Sequence, residues 1–184
     1  MALVVIITGS PAEGSRTLQL AEDVGQKLAG GGFALETINV RELPAEDLLH
    51  ARFESPAIKA ALALVERADG VVIASPVYKA AYTGVLKAFL DLLPQLGLTG
   101  KTVLPLLTGG TLAHVLALDY GLRPVLQSLN PRHIAAGLFV LDKLIARDES
   151  GAFTLEPEIA ARLDGLVSDF AHATRRLRTE ARVG

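Results

Sequence analysis

The sequence predicts an α/β fold in a single domain over residues 1–184, with five parallel strands in an open, doubly wound sheet and helices on both faces. Three observations lead there. Short β-branched runs alternate with longer stretches of helical period. No hairpin signal joins one run to the next, so each strand returns through a helix and the sheet is parallel. Half of the 184 residues are apolar and 21% are charged, which is enough apolar surface to bury a core and too much for disorder.

Taken in order, LVVIIT (3–8) is a first strand, nearly all apolar, as a strand buried on both faces must be. SRTLQLAEDVGQKLAG (15–30) has amphipathic helical spacing and stops at Gly30-Gly31-Gly32. FALETINV (33–40) alternates, as a half-exposed edge strand does. SPAIKAALALVERA (55–68) reads as a helix with Ser55 as N-cap and Pro56 in its first turn. GVVIAS (70–75) is a third strand, which Pro76 is expected to end. YTGVLKAFLDLL (82–93) is a helix stopped by Pro94, and KTVLPLLT (101–108) is a fourth strand. GTLAHVLALDYGLRPVLQSL (110–129) is helical in period, RHIAAGLFV (132–140) is a fifth strand, and PEIAARLDGLVSDFAHATRRL (157–177) is a closing helix. The basic end, with residues 178–184, reads as a solvated, frayed helix terminus. With apolar first, third and fourth strands and an alternating second, the pattern fits the flavodoxin-like order 2-1-3-4-5 and not a barrel, which needs eight units.

Composition removes several classes of function. A net charge of −2 gives no basic field for nucleic acid. No apolar run approaches the ~20 residues that span a bilayer. The N-terminus lacks a positively charged region before its apolar run and reads as a strand, not a leader, so a cytoplasmic protein is the expectation. The absence of cysteine excludes disulfides, thiolate metal sites and thiol redox chemistry, and no metal-ligand spacing such as H-E-x-x-H is present. Nor is there a nucleophile elbow with its histidine and acid.

In an open parallel sheet, ligands bind outside the carboxyl ends of the strands, where the strand order reverses. Three loops meet there. TGSPAEGSRT (8–17) combines a helix N-terminus with the hydroxyls of Ser10, Ser15 and Thr17 and the cation of Arg16, a set suited to one phosphate monoester. It has P-loop glycine spacing without the P-loop lysine, and it lacks G-x-G-x-x-G, so a single phosphate monoester fits best, with an ordinary capped turn as the alternative. SPVYKAAYTG (75–84) follows with Pro76, Val77, Tyr78 and Lys79, an aromatic and apolar wall beside a cation, although both tyrosines also suit simple packing. LTGGTLAH (107–114) brings Thr108, Gly109, Gly110 and Thr111, where glycines let peptide N–H groups approach a ring edge; His114 is more simply a satisfied or solvated side chain. A phosphate cradle, an aromatic wall and glycine-rich amides together describe a flavin mononucleotide site. No side chain is assigned as catalytic, because a flavin itself carries hydride chemistry.

GSPAEGSRT, SPVYKAAYTGVLKAFLDLLP and LTGGTLAHVLALDYGLRPVL resemble the NAD(P)H-dependent FMN reductase family, over roughly residues 3 to 175. ARFESPAIK (51–59) is similar to the reductases of bacterial alkanesulfonate monooxygenase systems. Members often carry Arg directly after G-S-P, where this chain has Ala12, which leaves that work to Arg16. The resemblance implies a homo-oligomer, usually a tetramer, that uses NADPH to reduce FMN for a partner monooxygenase in sulfur acquisition. It also implies that the flavin is exchanged as a substrate, with Pro76, Val77, Tyr78 and Lys79 beside its ring; the cation of Lys79 separately suits the phosphate of a second ligand, the nicotinamide nucleotide. An FMN-bound quinone or azo reductase is the alternative enzyme. A flavodoxin-type electron carrier is the alternative outside the enzymes, disfavoured by the near-neutral charge and the absence of tryptophan.

One local feature stands on its own chemistry. Pro124 has no N–H for the carbonyl of Tyr120 four residues back, and Gly121 weakens the same turn, so a kink or π-bulge is expected near Tyr120. The resemblance places such a π-helix at a subunit interface close to the flavin.

Overall fold

The computed structural model describes residues 1–147 and 153–183. Strands β1 (Leu3–Thr8), β2 (Ala34–Asn39), β3 (Gly70–Tyr78) and β5 (Thr102–Gly109) form a parallel sheet in the order β2-β1-β3-β5. Both β6 (His133–Ile134) and β7 (Leu138–Leu141) add to the far side of β5, in parallel. They are two halves of the single fifth strand expected over 132–140, so the parallel core has the predicted order 2-1-3-4-5. Pro105 explains the division. β5 pairs β6 at Thr102 and Val103 and β7 from Leu106 onward, and Pro105, with no N–H to give, lies in the gap. Gly137, at φ 78°, lies there too; a Cβ on it would stand 2.7 Å from the carbonyl oxygen of Pro105.

Alternation along the strands sends side chains into two cores. Val5, Ile7, Val71, Ile73, Val103 and Leu107 face one layer, covered by helices α3 (Pro56–Arg67), α4 (Gly84–Leu90) and α5 (Arg123–Ser128). Val4, Ile6, Val72, Ala74, Leu104 and Leu106 face the other, covered by α1 (Arg16–Gly30) and α6 (Pro157–Val183). Each large side chain fully withdrawn from water adds roughly 1.5–3 kcal/mol against the entropy of ordering the chain. A short α2 (Ala45–Leu49) follows the edge strand. The basic end stays helical through Val183; Arg175 lies over the Phe33 ring at 4.6 Å, and Arg178 approaches Asp69 at 3.5 Å.

Four local expectations are corrected. Pro76 does not end its strand: β3 continues to Tyr78, with Pro76 in register with Thr108. Tyr82 does not begin a helix; with Ala81 it forms β4 (Ala81–Tyr82), antiparallel to the end of β3, and α4 starts at Gly84 with Thr83 as its cap. Ser55 precedes α3 but its side chain does not cap it, because the hydroxyl donates to Asp47 Oδ2 at 2.6 Å instead. Residues 110–129 are not one α-helix. A 3₁₀ turn (Leu112–His114) leads into a π-helix (Ala117–Leu122) and then α5. The N–H of Arg123 bonds the carbonyl of Leu118, five residues back, so the π-turn expected from Pro124 and Gly121 is present around Tyr120. A further hairpin, β8 (Ile145–Arg147) with β9 (Phe153–Leu155), lies before α6.

Away from the carboxyl ends, Lys101 is buried at the start of β5 and donates from Nζ to the carbonyls of Glu66 and Ala68 at 2.8 and 2.9 Å. It closes the C-terminal end of α3, where carbonyls lack helical partners. Burial pushes its ammonium below the usual lysine range, against the opposing pull of Asp69 and Glu66. The unfolded chain therefore holds this proton at pH values where the folded chain has released it, and stability rises with pH across the window that ends near 10.5, the ordinary lysine value. In urea titrations between pH 8 and 10.5, the stability of the wild type relative to Lys101→Met is expected to increase; a constant difference would show that the folded lysine titrates normally.

Candidate functional site

The three loops at the carboxyl ends of β1, β3 and β5 are built into one another through buried hydroxyls. Thr83 is the first tie. Its Oγ1 donates to the carbonyl of Gly9 at 2.6 Å and accepts from the N–H of Leu86 at 3.1 Å, so one side chain caps α4 and holds the first loop. Ser75 Oγ accepts from the N–H of Thr83 at 3.0 Å and donates to the carbonyl of Pro76 at 2.9 Å, which pins the hairpin to the same point. Gly9 makes this approach possible: a Cβ there would stand 2.4 Å from Leu86 Cβ. Thr17 is the second tie. Its hydroxyl meets that of Thr108 at 2.6 Å, both buried, and joins the first turn of α1 to the end of β5.

Local sequence explains the first loop. Ser15 caps α1, its Oγ accepting from the N–H of Leu18 at 3.1 Å, and Ser10 Oγ accepts from the N–H of Ala12 at 3.3 Å. Among the described residues nothing accepts from the N–H of Arg16 or Thr17, the first two residues of α1. Those donors point along the helix axis toward the loop, with the positive end of the α1 dipole behind them. Arg16 is exposed beside them. Glu13, on the same loop, is held by Arg41 at 2.8 Å, and that guanidinium lowers its carboxyl below the usual range. The one acid of the loop is thus paired, and the free donors face a site suited to an anion.

In the second loop Val77 is packed into the core, Pro76 is half-buried, Tyr78 is 52% exposed and Lys79 is exposed. Lys79 and Ala80 both have positive φ, 51° and 65°, in a two-residue turn between β3 and β4. Such a turn normally takes glycine or asparagine, so its retention here marks a strained tip at the rim of the site. In the third loop a Cβ on Gly109 would stand 2.8 Å from Phe139 Cζ, which fixes glycine there for packing. Gly110 is exposed, with the Asp142 carboxylate 3.9 Å from where its Cβ would be. Thr111 Oγ1 accepts from the N–H of Ala113 at 3.2 Å, while the N–H groups of Thr111 and Leu112 have no acceptor among the described residues. His114 is half-buried one turn on.

Ser10, Ser15, Arg16, Thr17, Pro76, Val77, Tyr78, Lys79, Thr108, Gly109, Gly110 and Thr111 therefore lie in three loops at one edge of one sheet. Donors at α1 suit a phosphate, and free amides of the third loop suit the carbonyls and nitrogens of a ring, with Tyr78 as a face to stack on. A flavin mononucleotide fits this set. No group of acids, histidines or cysteines among the described residues could hold a metal. Sequence reasoning missed Ser75, Thr83 and Asp142. Thr83 had a signal, a cap residue before the apolar run GVLKAFL; Asp142 had none, because only the pairing of β7 with β5 brings it to the third loop.

Removing the Thr83 hydroxyl leaves the carbonyl of Gly9 and the start of α4 unsatisfied. Thr83→Val is expected to cost about 2 kcal/mol in chemical denaturation, and Thr83→Ser to recover most of it. A value within about 0.5 kcal/mol of wild type for Thr83→Val would remove Thr83 as the tie.

Comparison with known proteins agrees with this geometry. The profile of the family described as NADPH-dependent FMN reductase matches residues 2–144. The chain is 45% identical over 174 residues to an FMN reductase (NADPH) of Escherichia coli strain K12, covering 94% of this chain and 90% of the relative. It is 48% identical over 147 residues to an FMN reductase (NADPH) of Pseudomonas putida, covering 80% and 75% respectively. Among solved structures, an NADH:FMN oxidoreductase in its apo form superposes with a TM-score of 0.85 at 40% identity, over 94% of this chain and 90% of that one. With the sheet, the three loops and these likenesses in agreement, the chain belongs to the NADPH-dependent FMN reductase family.

Proposed function

We propose that the protein takes reducing equivalents from NADPH onto FMN held by the three loops, and that the reduced flavin serves a separate monooxygenase acting on sulfonates. The observation that carries the binding reading is the pair of unsatisfied N–H groups at Arg16 and Thr17, flanked by Ser10, Ser15 and the Arg16 cation. FMN supplies the hydride-accepting ring, and the rest is done by this chain's own residues. The first loop holds the phosphate. Tyr78 covers a face of the ring, and the amides of Thr111 and Leu112 hydrogen-bond its polar edge. Both loops are held ready by the Thr83 and Thr17 ties, so little reorganisation accompanies binding. Support for release of the reduced flavin comes from the shallow second loop, where Tyr78 and Lys79 remain in solvent. The curated relatives in E. coli and P. putida are named as reductases of FMN, not of an organic acceptor.

Oxidation of NADPH is expected to rise with added free FMN. Arg16→Ala is expected to weaken FMN binding roughly 10- to 100-fold while leaving riboflavin, which lacks the phosphate, nearly unchanged. Equal losses for both flavins would remove the first loop from the phosphate. Tightly bound, stoichiometric flavin with no response to free FMN would favour a quinone or azo reductase.

The same reading extends to assembly. Leu112, Leu116 and Tyr120 are 62%, 60% and 79% exposed, and Val115 lies beside them, so the 3₁₀ and π segments present an apolar row to solvent. Such a row, next to the site, suits a second copy of the chain and supports a homo-oligomer, with a tetramer the expectation. Light scattering on Leu116→Asp should show a smaller assembly than wild type; an unchanged mass for both would place the interface elsewhere.

A further inference from the structure

We propose that Asp142 tunes the site against reduced flavin, so that FMN binds more weakly after reduction than before it; this rests on the FMN reading given above. β7 ends at Leu141, in register with Gly109, and the next residue carries a carboxylate alongside Gly110. Asp142 is half-buried and, among the described residues, its carboxylate has no hydrogen bond or ion pair; only its backbone carbonyl is engaged, accepting from the N–H of Ile145. Its neighbour Lys143 is exposed. A free carboxylate at the loop that offers Thr111 and Leu112 amides to the ring is an unusual choice for a site that only has to hold flavin. An amide-lined pocket alone would favour the reduced ring, because two-electron reduction near neutral pH leaves that ring with a negative charge and the donors would stabilise it. A fixed negative charge beside those donors has the opposite effect. The oxidised ring is neutral, so the carboxylate leaves its binding nearly unaffected. After reduction, the like charges of ring and carboxylate repel across a partly desolvated cleft, and the product is released.

The experiment compares wild type, Asp142→Asn and Asp142→Glu. It uses the full-length protein and measures the dissociation constants of oxidised FMN in air and of chemically reduced FMN under anaerobic conditions, without NADPH. Asp142→Asn is expected to leave the oxidised constant within about twofold and to tighten the reduced one by about tenfold, with Asp142→Glu close to wild type. By the thermodynamic cycle, the midpoint potential of bound FMN should then lie about 30 mV more positive in Asp142→Asn, the equivalent of tenfold for a two-electron couple. A merely structural role for Asp142 would change both constants together and leave the potential in place; that outcome, or no change in either constant, overturns the inference. If wild type binds neither form of FMN, the function reading fails as well, and the two failures are distinguished by whether wild-type binding is intact.

Discussion

The hydrogen bond from Thr83 to the carbonyl of Gly9 is the contact on which the ligand edge depends. Loops at the end of a buried sheet carry peptide groups that cannot all reach water, and each buried one needs a partner. Secondary structure cannot supply those partners where the chain turns, so side-chain hydroxyls do. Thr83 serves the first loop and α4 at once, Ser75 fastens the hairpin to the same point, and Thr17 with Thr108 closes the circuit to the third loop. Gly9 is required because the approach to Leu86 leaves no room for a Cβ, and Gly109 because Phe139 fills that space. The glycines of these loops therefore divide by cause. Some are fixed by packing behind the site, and Gly110 alone of those three is open toward it.

A consequence concerns what is left unsatisfied. Once the hydroxyls have met the buried demands, the groups without partners are those that face outward, the N–H donors of Arg16, Thr17, Thr111 and Leu112. Donors fixed by a rigid frame need not be ordered when a ligand arrives, so a small interface can still hold a mononucleotide. The frame is tied by buried hydroxyls at the first and third loops, and strained at the tip of the second, where Lys79 and Ala80 take left-handed conformations. That arrangement suits a ligand that arrives and leaves, since the wall most exposed to solvent is also the part least tied down by the core.

The order of the sheet, and the meeting of three loops at one of its edges, were legible because both follow from periodicity and from the rule for parallel sheets. Misreadings arose where a local rule met a tertiary partner. Pro76 should end a strand, but β3 at that point pairs with Thr108 of β5 and hairpins onto Tyr82, so a missing N–H is tolerated. Pro105 shows the same residue acting as expected, breaking the neighbouring strand into β6 and β7. Ser55 looked like a cap, yet Asp47, eight residues earlier, claims its hydroxyl. Asp142 illustrates the limit: nothing within the local sequence separates it from any surface acid, and only the β5–β7 register gives it a neighbour.

The π-helix was legible for the opposite reason, since its cause is local. A proline without a donor and a glycine without a side chain fall in one turn, and the backbone answers by bonding one residue further back. The wider turn also has a geometric effect on both faces of the segment. In a regular α-helix, rows spaced by four residues drift around the axis, because four exceeds the 3.6 residues of a turn. A stretch of π-helix opposes that drift. Leu118, Leu122 and Leu126 stay on the buried side while Leu112, Leu116 and Tyr120 stay on the exposed one. The buried row seals the sheet, and the exposed row remains a continuous apolar strip. A Cβ on Gly121 would stand 4.0 Å from Tyr82 Cδ1, so this segment packs beside β4, and whatever covers the strip also bears on the hairpin that carries Tyr78. The apolar strip and the hairpin that carries Tyr78 are thereby joined in one continuous piece of structure.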